Sequence, residues 1–104
     1  MAQAFTDDNF EAEVIQAESL VLVDFHAAWC GPCQMQGPII DELAEANSDI
    51  KIGKVDVDSA PETAKKYGVM SIPTLIFFKG GEVVEKMSGL QQRDKLEAKI
   101  AELK

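Results

Sequence analysis

The spacing of apolar residues along this chain of 104 residues predicts strands that alternate with helices. Residues 20–25 form a short, almost continuous apolar run, which is typical of a strand covered on both faces of a sheet. Residues 50–57 have the composition of another strand. Apolar residues recur at helical spacing in three segments, at Phe10, Val14 and Ile15, at Ile39, Ile40, Leu43 and Ala44, and at Leu96, Ile100 and Leu103.

Capping and turn residues indicate where these elements begin and end. Thr6 precedes two aspartates, so we expect a helix to begin there with acidic residues at its positive end. Residues 59–62 (Ser-Ala-Pro-Glu) match a capping box and predict a short helix that Gly68 ends. A Gly-Gly pair between residues 74–78 and 82–87 predicts a hairpin. This order of elements indicates an α/β fold, with a mixed sheet and helices on both faces.

Composition and charge narrow the possible partners. The length and the absence of a linker or repeat predict a single domain, residues 1–104. The formal net charge of −8 argues against nucleic acid and anionic membrane surfaces, because both would repel the chain. The N-terminus has neither the basic nor the apolar stretch of a signal peptide, and no apolar run is long enough for a membrane span. We therefore expect a cytoplasmic protein.

The only two cysteines, Cys30 and Cys33, lie where a buried strand gives way to a helix. A disulfide between residues three apart closes almost no loop, so the pair is not there to stabilise the fold. A zinc site would need further ligands, and His26 is the only histidine. Free amides at the start of a helix favour a thiolate, which is the form that attacks disulfides. We expect Cys30 to attack a target disulfide and Cys33, one turn inward, to resolve the product.

The run Trp29-Cys30-Gly31-Pro32-Cys33, together with Val23-Asp24-Phe25, Ile72-Pro73-Thr74 and Gly89, resembles the thioredoxin family from about Thr6 to the C-terminus. The resemblance implies a thioredoxin fold, with a central five-stranded mixed sheet in the order 1-3-2-4-5 flanked by four helices. It also implies a monomeric protein-disulfide reductase without a bound cofactor. Its partners would be disulfide-containing target proteins and a flavoprotein thioredoxin reductase that passes on electrons from NADPH.

Two charged residues are candidates for supporting the cysteines. Asp24 interrupts the apolar run of residues 20–25, so its carboxyl group is either buried or turned outward at the strand end. The resemblance implies a buried proton acceptor near Cys33. Lys54 resembles the lysine that neighbours this acid in the family, although it could also be an isolated surface lysine.

The resemblance also implies a docking surface for the substrate chain. It makes the Ile72–Pro73 bond cis and aligns the preceding backbone with the substrate like an added strand. From the residues alone, a cis bond would not be expected. Trp29 could instead be ordinary core, as we expect for Phe25, Phe77 and Phe78. The implied docking surface consists of Trp29, Gly31, Pro32, Ile72, Pro73 and Gly89.

Three residues depart from the family pattern. His26 stands where the family usually has tryptophan, and either it substitutes in packing or its titration near neutrality tunes the thiols. Gln34 replaces a common basic residue, and Ser88 occupies a docking position that is commonly apolar. Two other functions stay open, an oxidase or isomerase on the same fold and a binding module that acts independently of its redox state. Gly-Pro between the cysteines favours reduction over the former.

Overall fold

A computed structural model describes residues 2–104, which form five strands and four helical segments. In chain order the elements are β1 (Gln3–Phe5), a short π-helix (Glu11–Ile15), β2 (Val21–His26), α1 (Gly31–Ala46), β3 (Lys51–Asp56), α2 (Pro61–Lys66), β4 (Thr74–Lys79), β5 (Glu82–Ser88) and α3 (Arg93–Leu103). Helices α1 and α2 each have a proline in their first turn.

The strands form one mixed sheet in the order β1-β3-β2-β4-β5. Strands β1 and β2 both run parallel to β3, whereas β4 is antiparallel to β2 and to β5. The strand order, the mixed sheet and the four helical segments confirm the fold that the resemblance implied. The predicted hairpin is also confirmed, because β4 and β5 are joined at Gly80 and Gly81, which both have positive φ.

Side chains alternate between the two faces of the sheet, and each face has its own buried cluster. Leu22 of β2, and Leu20 just before this strand, join the cluster that contains Ile40 of α1 and Leu96 of α3. The intervening positions of β2 join the other cluster, which contains residues of the π-helix and α2, with Val21, Val23 and Phe25 beside Val14 and Ala64. Phe25, Phe77 and Phe78 are buried, as predicted. We call the face of the sheet that carries Leu22 and packs against α1 and α3 the α1 face.

The N-terminal part differs from the pattern-based prediction. Strand β1 has three residues and was expected only from the resemblance. It lies close to Gly53 of β3, where an added Cβ would meet the Phe5 ring and lie 2.7 Å from the carbonyl oxygen of Gln3. At Thr6, where a helix was predicted to begin, the chain forms a turn in which Thr6 and Asn9 each accept a hydrogen bond from the other's backbone N–H. The helix that follows is limited to the π-helix.

The capping box predicted at Ser59 is wrong. Helix α2 follows Ala60 and has no cap from the side chain of that residue. Its free amides are bound by Asp7 instead, whose Oδ1 accepts hydrogen bonds from the Thr63 N–H at 2.9 Å and the Thr63 hydroxyl at 2.6 Å. These bonds lower the pKa of Asp7, with the hydroxyl bond contributing most. A carboxylate distant in sequence therefore does the work predicted for a local serine.

Candidate active site

The two cysteines lie at the start of α1, where the sequence predicted them. Cys30 caps the helix, and its Sγ accepts a hydrogen bond from the backbone N–H of Cys33 at 3.2 Å. Their Cα atoms are 5.3 Å apart and the two sulfurs are joined as a disulfide. Cys30 and Cys33 are 5% and 6% exposed, so exposure does not distinguish the two sulfurs. Their neighbours do.

Cys30 lies against the loop that precedes β4. Its Sγ is 3.7 Å from the carbonyl oxygen of Ile72. The Ile72–Pro73 bond is cis, as the resemblance implied. Gly89, with a φ of 86°, donates its backbone N–H to the carbonyl oxygen of Pro73 at 2.9 Å. This links the end of β5 to the same loop, so residues from three distant parts of the chain meet beside Cys30.

An apolar cavity of about 180 Å³ opens next to this loop. Trp29 is 72% exposed at its rim, and its Nε1–H donates to Asp58 Oδ2 at 2.8 Å. The alternative that Trp29 is core is therefore wrong. Gly31 and Pro32 are exposed as well. Sequence reasoning did not assign the cavity's other residues to the docking surface, although Val57 directly follows β3 and Met70 precedes the cis bond. The cavity is lined by Trp29, Val57, Val69, Met70, Ser71 and Ile72.

Asp24 is completely buried within β2, so the outward-facing alternative is wrong. Within residues 2–104, neither of its carboxylate oxygens has a hydrogen-bond partner. Burial raises its pKa from 3.8 to about 7; nearby Lys54 opposes the rise and Asp41 adds to it. Such a carboxyl group can take up and release a proton near neutral pH.

Cys33 and Asp24 line a second cavity of about 180 Å³, whose lining includes neither Cys30 nor Ile72. It is the place where a proton could pass between the thiol and the carboxylate through water. His26, Gly37 and Lys54 also line this cavity, which is completed by Ala27, Ala28 and Gln34.

Lys54 lies opposite Asp24 in the β2–β3 register but bonds to a different carboxylate. Its Nζ is 3.1 Å from Asp41 Oδ1 and 3.2 Å from Asp41 Oδ2. Lys54 thus lines the same cavity as Asp24 and Cys33 and is paired with Asp41, so the alternative of an isolated surface lysine is wrong. Asp41 was missed in the sequence. Its signal was its position eight residues, about two helical turns, after Cys33 on α1.

The three residues that depart from the family pattern lie around the site. His26 is half-buried opposite Asp56, and its pKa is lowered by burial and by Lys54, with Asp56 opposing. Gln34 Nε2 donates to the carbonyl oxygen of Ala28 at 3.4 Å. Ser88 is exposed at the end of β5. Of these residues only His26 and Gln34 line the cavity that contains Asp24.

No group of three or more His, Cys, Asp or Glu side chains within residues 2–104 is arranged to hold a metal ion. None of the helices in that range is both long enough and apolar enough to cross a membrane.

Comparison with known proteins gives consistent matches. The family model described as Thioredoxin matches residues 1–102. The thioredoxin of Alicyclobacillus acidocaldarius is 50% identical over 99 residues, which cover 94% of this chain and 93% of the relative. Thioredoxin 2 of Chlorobaculum tepidum is 47% identical over 98 residues, covering 93% and 90%. The thioredoxin of Listeria monocytogenes is 48% identical over 101 residues, covering 96% of both chains.

Proposed function

Because the chain belongs to the thioredoxin family, it is a protein-disulfide oxidoreductase, and we propose that Cys30 is its attacking thiolate and Cys33 its resolving thiol. One observation carries this assignment of roles: the two sulfurs have different neighbours. Cys30 lies against the carbonyl of Ile72, a residue that lines the apolar cavity, whereas Cys33 lines the cavity that contains Asp24.

The reaction then has two exchange steps. The Cys30 thiolate attacks a target disulfide, a mixed disulfide forms, and one target sulfur leaves as a thiolate. Cys33 loses its proton and attacks the Cys30 sulfur. The second target thiolate is released, the target is reduced by two electrons, and Cys30 and Cys33 are left as a disulfide. The two thiols carry both electrons, so no bound cofactor is required.

We assign the proton of Cys33 to Asp24. A carboxyl group with a pKa of about 7 is part deprotonated at neutral pH, and without a hydrogen-bond partner in the described chain it is free to accept. Lys54 stabilises the charged form of Asp24, since it lowers the pKa of that carboxyl group. The transfer passes through the shared cavity, by way of water where the two groups do not touch.

We assign substrate docking to the surface around Cys30, made of the exposed Trp29, Gly31 and Pro32, the half-buried Ile72 and Gly89, and the buried Pro73. The exposed indole and the neighbouring apolar cavity support this, because they offer apolar area beside the sulfur that attacks. The partners are of two general kinds, disulfide-containing target proteins and a reductase. We propose that the reductase is a flavoprotein supplied by NADPH and that the chain acts as a cytoplasmic monomer with one domain, residues 1–104.

The proposal is tested by reduction of insulin disulfides with dithiothreitol as the electron donor. Cys30→Ser is expected to abolish catalysis, whereas Cys33→Ser is expected to accumulate a covalent complex with the target. Exchange of these two outcomes would reverse the assigned roles. Activity retained in the double Cys→Ser variant would remove the thiol mechanism altogether.

The role of Asp24 is tested by single-turnover kinetics. Asp24→Asn is expected to slow the release of the mixed disulfide at pH 7 by about 100-fold or more, with little effect on its formation. Equal slowing of both steps would contradict a role in resolution.

A further inference from the structure

The polar end of the α1 face holds more charged groups than the proposed mechanism uses. Asp24 faces Lys54 across the β2–β3 register, and His26 faces Asp56 in the same way. Helix α1 covers this part of the sheet and contributes Cys33 and Asp41, and on the other side of β2 the residue paired with Asp24 is the apolar Leu75 of β4. Lys54 is therefore the cation that two carboxylates, Asp24 and Asp41, compete for.

Asp41 holds the ammonium group of Lys54. Both carboxylate oxygens lie within 3.2 Å of Nζ, and Oδ1 also accepts the backbone N–H of Ala2 at 3.0 Å. The second bond ties Asp41 to the start of β1, so its carboxylate is oriented from two sides. Both groups are only partly exposed, 23% for Lys54 and 32% for Asp41, which limits screening by solvent.

Gly37 lies next to the ammonium group of Lys54. It is on α1 between Cys33 and Asp41, four residues from each, and an added Cβ would be 3.4 Å from Lys54 Nζ. The lysine side chain therefore extends from β3 beneath Gly37 to the next helical turn. Lys54 is thus bound to Asp41 and makes no hydrogen bond to its partner in register, Asp24.

The consequence for Asp24 is electrostatic. Its carboxylate oxygens have no hydrogen-bond partner in residues 2–104, although Lys54 is close enough to affect their charge. Asp41 acts on Asp24 in two ways of the same sign, since its own negative charge repels the Asp24 carboxylate and its bond to Lys54 keeps the ammonium group away.

We propose that Asp41 is a positioning residue for the resolving step: by holding Lys54 beneath Gly37, it keeps Asp24 without an ion-pair partner and so able to bind a proton at neutral pH. The effect of Asp41 on the proton affinity of Asp24 does not depend on the proposed mechanism, whereas the consequence of this effect for turnover rests on the proposed role of Asp24 in deprotonating Cys33.

The test is a titration of the Asp24 carboxyl carbon by NMR in the oxidised protein, where the thiols do not titrate. Asp41→Asn keeps the oxygen that accepts the Ala2 N–H but removes the charge that holds Lys54. The pKa of Asp24 is expected to fall from about 7 by about one unit or more. Asp41→Glu, which keeps the charge, is expected to restore most of the wild-type value.

The matched control is Glu13→Gln. It breaks the Lys51–Glu13 pair, which has a similar length of 3.2 Å and similar exposure (31% and 35%), and which involves the same strand, β3. It is expected to leave the titration of Asp24 unchanged. Asp41→Ala is a second neutral variant in case Asp41→Asn does not fold, and it is expected to lower the pKa of Asp24 in the same way.

A double-mutant cycle separates the two actions of Asp41. In a Lys54→Met background no ammonium group can move to Asp24, so Asp41→Asn is expected to shift its pKa less than in the wild type. An unchanged or raised pKa of Asp24 in Asp41→Asn would overturn the proposal, and an equal shift in both backgrounds would remove the part that Lys54 plays in it.

The functional arm is the pH profile of mixed-disulfide resolution. Its lower limb is expected to move to lower pH in Asp41→Asn by the same amount as the pKa of Asp24. If the pKa shifts while the profile stays, the positioning role of Asp41 stands and the proposed role of Asp24 in resolution fails. If Asp24→Asn slows resolution but Asp41→Asn shifts neither the pKa of Asp24 nor the pH profile, the proposed role of Asp24 in resolution stands and the positioning role of Asp41 fails.

Discussion

The two halves of the α1 face are built on the same strands and covered by the same helix, yet they differ in chemistry. Away from the cysteines, Leu22 of β2 and Ile52 of β3 pack beneath Ile40 and Leu43 of α1. Two and four residues further along both strands, the same face carries charged or titratable side chains near the first turns of α1, namely Asp24, His26, Lys54 and Asp56.

The contrast separates stability from reactivity along one surface. The apolar half stabilises the fold, because it removes large side chains from water. In the polar half a carboxyl group is buried without a hydrogen-bond partner in the described chain, which destabilises its charged form. The destabilised carboxylate is the group to which we assign proton uptake.

The largest expected effect is on stability at alkaline pH. The pKa of Asp24 is about 7 in the folded chain, above its ordinary value of 3.8, so this residue contributes stability that is complete below pH 3.8 and is lost as the pH rises through 7. Relative to the difference at pH 4, Asp24→Asn is expected to gain ~4 kcal/mol in unfolding free energy above pH 8. Urea unfolding of the oxidised protein from pH 4 to 9 measures it.

The control for this measurement is Asp8→Asn, which removes an exposed carboxylate. Its effect on unfolding free energy is expected to stay within about 0.5 kcal/mol over the same range. A pH-independent effect of Asp24→Asn would mean that the two halves of the α1 face do not differ as described.

The second prediction concerns the apolar half. Leu22→Ala is expected to lower the unfolding free energy by about 3 kcal/mol at every pH, because Leu22 is completely buried and the helices above it cannot close the cavity. Together with Asp24→Asn, it gives opposite signs for substitutions two residues apart on one face of one strand. A loss that varied with pH would show that the halves are electrostatically coupled.

The sequence predicted most of the architecture and, within the site, the cysteine pair and Asp24. Apolar runs predicted four strands and apolar residues at helical spacing predicted the major helices, because each of these elements repeats its pattern over several turns or pleats. Asp24 was found because a carboxylate interrupts an apolar run. The cis Ile72–Pro73 bond came from the resemblance alone, since a peptide-bond isomer leaves no trace in spacing.

The missed features depend on pairs that are distant in the chain. Strand β1 is too short to show a period, and it exists because β3 offers an edge and Gly53 allows close approach. The capping box at Ser59 failed because Asp7, 56 residues from Thr63, reaches the free amides of α2. Asp41 escaped notice because its partner, Lys54, lies on another element, and local patterns do not show which partner a charge takes.

The third prediction uses the space beneath α1 in the polar half. Glycine inside a helix is destabilising relative to alanine, and an added Cβ at Gly37 would be 3.4 Å from Lys54 Nζ, about normal contact distance. Gly37→Ala is expected to stabilise the fold by about 0.5–1 kcal/mol in urea unfolding and to leave the titration of Asp24 unchanged. The matched control, Ala44→Gly in the apolar half of the same helix, is expected to lose about 1 kcal/mol. Destabilisation by Gly37→Ala would mean that Lys54 has no freedom to adjust.

The smallest expected effect belongs to His26, the only histidine in the chain. Burial lowers its pKa below the ordinary value of 6.5, so its contribution to stability is complete above pH 6.5 and is lost as the pH falls through the folded-state pKa. His26→Trp is expected to remove this acid-side decline in unfolding free energy. An Asp24→Asn background isolates the effect, because Asp24 no longer titrates in the same range.

The same substitution decides between the two roles considered for His26. A histidine with a lowered pKa is neutral at pH 7 and adds no positive charge to the cysteine thiolates. The rate of Cys30 alkylation by iodoacetamide is therefore expected to have the same pH profile above pH 7 in His26→Trp and in the wild type, with a difference confined to acid pH. A profile displaced across the whole pH range would favour the role of His26 in tuning the thiols over its role in packing.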